Sequence, residues 1–311
     1  MSNRKGRIRP ARLQPGDKVG VISPAGVVDR DMLEKGLRVL EKMGLEPVLG
    51  RHVLSRHRFV AGTDRERAED LMGMFADPSI RGIVCARGGY GSNRIIPHLD
   101  AKVIRRNPKI FVGASDITFL HLYLNLKCSL VTFHGPMVAG SFGRNPMRQS
   151  QRQFARMLFS EGGGQSLQAP KARVLKPGHA KGELAGGCLT LLCRSLGTPF
   201  ELQPRNKILL IEDVNEPFYR IDGMLWQLKM AGKFEGVRGI VFGEMVNCRP
   251  SHKREGKLDD VFKEFFEEYS FPILVNCPIG HGREMWTLPL GETAVLDAES
   301  KLLNLMGSGV V

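Results

Sequence analysis

Residues 109–124 read KIFVGASDITFLHLYL, a short apolar run, a turn of small and polar residues, then a second apolar stretch. The run 109–113 (KIFVG) has the length and near-continuous apolar character of a strand buried on both faces, and Ile117, Phe119, Leu120, Leu122 and Leu124 continue as an apolar helix. Ser115 stands directly after the strand and directly before the helix. In a parallel sheet such a turn opens at the carboxyl edge, where ligands bind. It also aims the amides of a helix start at any oxyanion formed beside it. Helix capping explains the same serine, because Ser115, Asp116 and Thr118 are all residue types that suit a helix start.

The same strand–turn–helix alternation extends outward from this segment. Residues 18–23 (KVGVIS) form a candidate first strand, ended by Pro24 and Gly26. Asp29 can cap a helix with Leu33, Leu37 and Leu40 on one face and a stop at Gly44. Thr63 and Glu66 make a capping box ahead of Leu71, Met72 and Phe75. Apolar runs at 82–86 (GIVCA) and 130–133 (LVTF) alternate with helices around Ile95 and Leu122. Strands interleaved with amphipathic helices call for a doubly wound α/β domain.

Between 160 and 184 the composition shifts to Gly, Gln, Pro and Lys, including Gly162, Gly163, Gly164, Pro170 and Pro177, which places an interdomain connection there. Beyond it come a helical stretch near 189–196, a strand at 208–211, a helix near 219–230, a strand at 239–242, a helix at 258–269 and short terminal strands. At 311 residues the chain exceeds the size of one hydrophobic core, so two domains are expected. The expected division is 1–160, a connection at 161–184, and 185–311.

With 42% apolar and 25% charged residues the composition is that of a globular protein. The formal charge is +13, but the basic residues are spread out, apart from Arg4, Lys5, Arg7, Arg9 and Arg12. They are not interleaved with aromatics as a stacking platform for bases would require, so no nucleic-acid partner is expected and the charge favours acidic substrates instead. The N-terminus lacks the apolar core of a secretory signal, and no run approaches the ~20 apolar residues of a membrane span. The six cysteines contain no C-x-x-C pair and sit among apolar or small residues. Buried free thiols in a reducing cytoplasm are expected, with no metal site.

The loop 86–92 (ARGGYGS) also follows a buried strand and precedes a helix, and its glycines let backbone amides approach a ligand, as a phosphate nest or an oxyanion hole requires. Its spacing is neither G-x-G-x-x-G nor a P-loop. A serine nucleophile needs a base and a group to orient that base. His281, in the glycine-flanked loop 278–282 (PIGHG) after an apolar strand, is one candidate base, and His134, in FHGP, is the other. Glu212 ends the apolar strand 207–211, with Asp213 and Glu216 close behind; one of these acids can instead cap the helix near Tyr219.

Taken together the segments resemble the LD-carboxypeptidase family of serine peptidases, which includes murein tetrapeptide carboxypeptidases and microcin immunity hydrolases. The pieces that carry the likeness are GVISPAG (20–26), ARGGYGSNRIIPHLD (86–100), VGASDITFLH (112–121), VTFHGPM (131–137), GELAGGCLTLL (182–192), LLIEDVNEPFYRID (209–222) and PIGHG. The resemblance implies an α/β fold, with a doubly wound flavodoxin-like parallel-sheet N-terminal domain and a mixed, β-rich swivelling C-terminal domain. It implies a Ser-Glu-His triad of Ser115, Glu212 and His281, with an oxyanion hole at the backbone amides of Gly89 and Asp116 and with Gly88 a neighbouring possibility. Ala114 departs from the family, where larger residues such as Tyr are expected.

The activity implied is release of a terminal D-amino acid from cytoplasmic murein tetrapeptides by a homodimer, with no cofactor. The third residue of the peptide, Lys or diaminopimelate, is left open. Arg87, Arg94, Arg144, Arg220 and Arg283 lie near the motifs as partners for a substrate carboxylate. A microcin-type aminoacyl-nucleotide hydrolase is the alternative within the family. It is disfavoured because 160–184 contains no Trp, Tyr or Phe to stack on a base. A non-catalytic ligand-binding module is the alternative outside it.

Overall fold

A computed structural model describes residues 6–144, 147–160 and 163–311; Arg4, Lys5 and Gly162 therefore lie outside the described residues. The chain divides into two units, one of Met1–Gly163, Trp286–Glu292 and Ser308–Val311, the other of Gly164–Met285 and Thr293–Gly307.

The first unit runs β1 (Lys18–Ile22), α1 (Arg30–Lys42), β2 (Glu46–Leu49), α2 (Asp64–Ala76), β3 (Ile80–Cys85), α3 (Ala101–Arg106), β4 (Ile110–Gly113), α4 (Thr118–Lys127), β5 (Thr132–His134) and α5 (Arg148–Leu158). Its five strands are parallel in the order β2-β1-β3-β4-β5, and Leu288–Leu290 adds antiparallel to β5. This is the flavodoxin-like doubly wound order. The order reverses between β1 and β3, the switch point at whose carboxyl edge doubly wound sheets place their ligand sites.

Local chemistry sets the elements of this unit. Asp29 accepts a hydrogen bond from the Met32 amide at 3.0 Å to start α1, whose Leu33, Val39 and Leu40 are buried. Leu37, on the edge of that face, is only half-buried. Thr63 and Glu66 form the capping box that starts α2. Around Ile95 the chain makes a 3-10 turn, Ser92–His98, with Pro97 inside it, rather than an α-helix. Proline there cannot donate to a preceding turn. Two elements carry little sequence signal: β2 is an edge strand holding Pro47 and carrying no buried face, and α5 begins with polar residues.

The second unit comprises β6 (Gln165–Gln168), β7 (Arg173–Lys176), β8 (His179–Cys188), α6 (Leu189–Arg194), β9 (Lys207–Val214), α7 (Phe218–Met230), β10 (Gly239–Val246), α8 (Leu258–Phe265) and β11 (Ile273–Cys277). The chain returns to the first unit for β12 (Leu288–Leu290), then adds β13 (Thr293–Asp297) and β14 (Leu302–Leu305). The sheet order is β6-β14-β13-β8-β9-β10-β11-β7. Strands β8 to β11 are parallel and the flanks antiparallel.

The observed division differs from the expected one in two respects. Residues 161–184 contain β6, β7 and the start of β8 rather than only a connection. These strands are ordered by backbone ladders, which a composition rich in Gly, Gln and Pro does not disclose. The second difference is that Trp286–Glu292 and Ser308–Val311 belong to the first unit, because Leu288 pairs with His134 across a long sequence gap.

Candidate active site

In the first unit β4 ends at Gly113, and the chain turns through Ala114 into a 3-10 turn, Ser115–Ile117, before α4. Ser115 has φ +60°, a left-handed conformation that costs a non-glycine residue roughly 1–3 kcal/mol. Helix capping does not explain it. The capping position is Ala114, and no side chain makes a cap hydrogen bond there. The Ser115 side chain is half-exposed and has no hydrogen-bond partner among the described residues.

The glycine loop packs directly against this elbow. A Cβ on Gly88 would lie 2.8 Å from Ser115 Cβ and 3.0 Å from its Oγ, so only glycine fits there. Next to it, Gly89 has φ +115° and is exposed, and its N–H donates to no acceptor among the described residues. Asp116 is buried, and burial pushes its carboxyl up, against hydrogen bonds from Ser92 that pull it down. The Ser92 amide donates to Asp116 Oδ2 at 2.7 Å, and the Ser92 hydroxyl donates to the Asp116 carbonyl at 2.5 Å.

Two further side chains lace the strand ends together. Arg67, fully buried, donates to the Pro24 carbonyl at 2.6 Å and the Gly91 carbonyl at 2.8 Å, tying the loop after β1 to the loop after β3. His121 bridges the Gly113 carbonyl at 2.9 Å and Thr132 Oγ1 at 2.8 Å, and burial pushes its imidazole down to about 3. His121 ends the segment VGASDITFLH, but its bridging role is visible only in three dimensions. Arg67 and Ser92 carried no signal of their own, since each acts on backbone atoms distant in sequence.

In the second unit Glu212 lies within β9, fully buried. Its Oε2 is 2.7 Å from Nδ1 of His281, whose side chain is 25% exposed. An ionised carboxylate can only accept, so this contact puts the proton on Nδ1 and leaves Nε2 with its lone pair. Glu212 Oε1 has no partner among the described residues. Gly280 has φ +99°, and a Cβ on it would run into the Glu212 carboxylate. The glycines flanking His281 are therefore required by the space its neighbours occupy.

The competing residues go elsewhere. His134 is buried within β5. Glu216 pairs with Arg220 at 3.6 Å and does not reach His281. Asp213 accepts from the Thr190 amide and hydroxyl, each at 2.8 Å, and the helix near Tyr219 starts at Pro217 with no side-chain cap. Of the arginines named above, Arg94 pairs with Asp64 at 3.0 Å. Arg87 donates to the Val27 carbonyl at 2.9 Å and lies beside Gly89, and burial lowers the pKa of its guanidinium. Thus Ser115, Gly89 and Asp116 belong to the first unit, and Glu212 and His281 to the second.

The chain is similar to proteins of known kind over nearly its whole length. The profile of the LD-carboxypeptidase N-terminal domain matches residues 19–135, and that of the C-terminal domain matches residues 181–296. A probable murein peptide carboxypeptidase of Bacillus subtilis is 39% identical over 94% of this chain and 92% of its own. The murein tetrapeptide carboxypeptidase of Pseudomonas aeruginosa is 36% identical over 91% and 94%. Among solved structures, the muramoyltetrapeptide carboxypeptidase of Oxalobacter formigenes superposes with a TM-score of 0.83 at 27% identity, covering 93% of this chain and 97% of that one. The microcin C7 self-immunity protein MccF in its apo state gives 0.91 at 25% identity, covering 96% and 98%. With both domain profiles matched in order, the chain belongs to the LD-carboxypeptidase family.

Proposed function

We propose that this protein is a serine LD-carboxypeptidase that releases the terminal D-amino acid of murein tetrapeptides, with Ser115 as nucleophile, His281 as base and Glu212 as the group that orients the base. The observation that carries this reading is the 2.7 Å contact between Glu212 and His281 Nδ1, which fixes the tautomer whose Nε2 carries the basic lone pair. The left-handed, uncapped Ser115 supports it from the other unit. The two relatives that carry murein peptidase names support the substrate class.

In this mechanism His281 Nε2 takes the hydroxyl proton as Ser115 Oγ bonds to the carbonyl carbon of the residue before the terminal D-amino acid. Glu212 holds the imidazolium so formed. The oxyanion is received by the amides of Gly89 and Asp116, where one donor is worth about 10²-fold or more in rate. His281 then protonates the leaving amine as the C–N bond breaks. Water, activated by the same imidazole, hydrolyses the acyl-serine ester and regenerates Ser115. The terminal carboxylate needs a cation beside the scissile bond, and Arg87, alongside Gly89, is our candidate. Five buried free thiols suit a cytoplasmic setting in murein recycling. The homodimer rests on the family resemblance.

The test is turnover of a murein tetrapeptide and of an aminoacyl nucleotide, side by side, by the wild type and Ser115→Ala, together with labelling by a fluorophosphonate. Release of D-alanine that disappears in Ser115→Ala supports the reading. Turnover of the nucleotide alone moves the protein to the immunity branch. Equal D-alanine release by both proteins removes Ser115 as nucleophile.

A further inference from the structure

The loop that carries His281 is flanked by a second carboxylate that the mechanism above does not use. Glu244 lies on β10, the neighbour of β9, and its amide donates to the Ile279 carbonyl at 3.2 Å. A Cβ on Gly282 would run into the Glu244 carboxylate, just as one on Gly280 would run into that of Glu212. His281 therefore sits between two glycines, each cleared for a different carboxylate, but the two acids differ in their partners. Glu212 is bonded to the imidazole. Glu244 is half-buried, and its carboxylate has no hydrogen-bond or ion-pair partner among the described residues.

An unpaired carboxylate in such a place is unfavourable by itself. Burial first, and then the nearby charge of Glu284, push its carboxyl up, against a weaker pull down from Lys171. A cation brought to this spot would relieve both effects, and at half-burial its attraction is screened less than on an open surface. The surroundings supply no such cation within bonding distance among the described residues, whereas a substrate held for attack beside His281 could.

We propose that Glu244 is a specificity-determining residue that binds the ammonium group on the side chain of the residue whose carbonyl is attacked. This inference rests on the murein peptidase reading. In a murein tetrapeptide that residue is the third, and both lysine and diaminopimelate carry a side-chain ammonium, so Glu244 selects for the charge the two share. A neutral side chain of the same length leaves the carboxylate unpaired and loses the charge-assisted hydrogen bond. Glu284 adds a long-range contribution of the same sign.

The experiment compares kcat/KM for a tetrapeptide with lysine at the third position against one with norleucine, in the wild type, Glu244→Gln and Glu244→Asp. The wild type is expected to prefer the lysine peptide by about 10-fold or more, the ratio to collapse toward one in Glu244→Gln, and to be partly retained in Glu244→Asp, mainly through KM. The ratio reports selectivity even if a variant is partly destabilised. A wild type that hydrolyses both peptides equally overturns the proposal with no variant needed, as does a ratio unchanged in Glu244→Gln. Hydrolysis of neither peptide by the wild type overturns instead the peptidase reading on which the proposal stands.

Discussion

The elbow at Ser115 and the loop at His281 both follow parallel strands at their carboxyl ends, but the protein holds them in opposite ways. In the first unit the backbone itself is strained, and hydrogen bonds from Ser92, Arg67 and His121 to main-chain atoms hold it in place. In the second unit side chains are removed. Glycines at 280 and 282 clear room for Glu212 and Glu244, and the imidazole lies against the buried acid Glu212. The difference teaches where each half can fail. The nucleophile depends on a network spread over three loops, whereas the base depends on a buried carboxylate that fixes its tautomer.

The largest effect that would sharpen this contrast is Glu212→Gln. The amide would donate to Nδ1 and force the proton onto Nε2, so kcat/KM on the tetrapeptide should fall about 10⁴-fold with the fold intact. A loss below tenfold would show that Glu212 does not set the tautomer of the base. Next comes Gly88→Ala, whose methyl meets Ser115 Cβ and Oγ; a shift of roughly 1 Å at the nucleophile should cost about 10²-fold in kcat. Gly223→Ala, at a helical glycine with open space around it, serves as the control and should leave kcat unchanged.

Ser92→Ala removes the hydroxyl bond to the Asp116 carbonyl in a buried site, so the protein should lose about 1–3 kcal/mol in denaturant unfolding. An unchanged midpoint would show that the elbow holds its strain without the glycine loop. The last effect vanishes at neutral pH and grows with acid. His121 is held neutral to about 3 when folded and titrates near 6.5 when unfolded, so between those values the unfolded chain binds a proton that the folded chain does not. The wild type therefore loses stability as pH falls through that window. His121→Asn, which lacks this linkage, should gain on it by about 1.4 kcal/mol per pH unit below 6.5, read from unfolding curves between pH 7 and 4.

Much of this was legible in the residues, because the decisive signals were local. The segment at 109–124 disclosed its strand, turn and helix, and the capping box at Thr63 and the cap at Asp29 marked helix starts where they occur. Ser115 and His281 were marked by the loops that hold them. Edge elements were not legible: β2 contains a proline, and β6 and β7 lie in a stretch whose composition reads as a loop, since ladder hydrogen bonds require no particular side chain. The choice between Glu212 and Glu216 was also out of reach. Both follow an apolar run, and only the fold brings one of them to His281 and the other to Arg220.

The sequence by itself determined the doubly wound alternation, the family, and the residue types at the two strand ends, because apolar periodicity, caps and glycine placement act over a few residues. Tertiary structure decided that Ser115 is strained rather than a cap, that Gly88 and Gly280 are required by what lies against them, and that Glu244 stands unpaired beside the candidate base. Those facts depend on atoms dozens of residues apart meeting at van der Waals distance, and pattern along a chain carries no record of such distances.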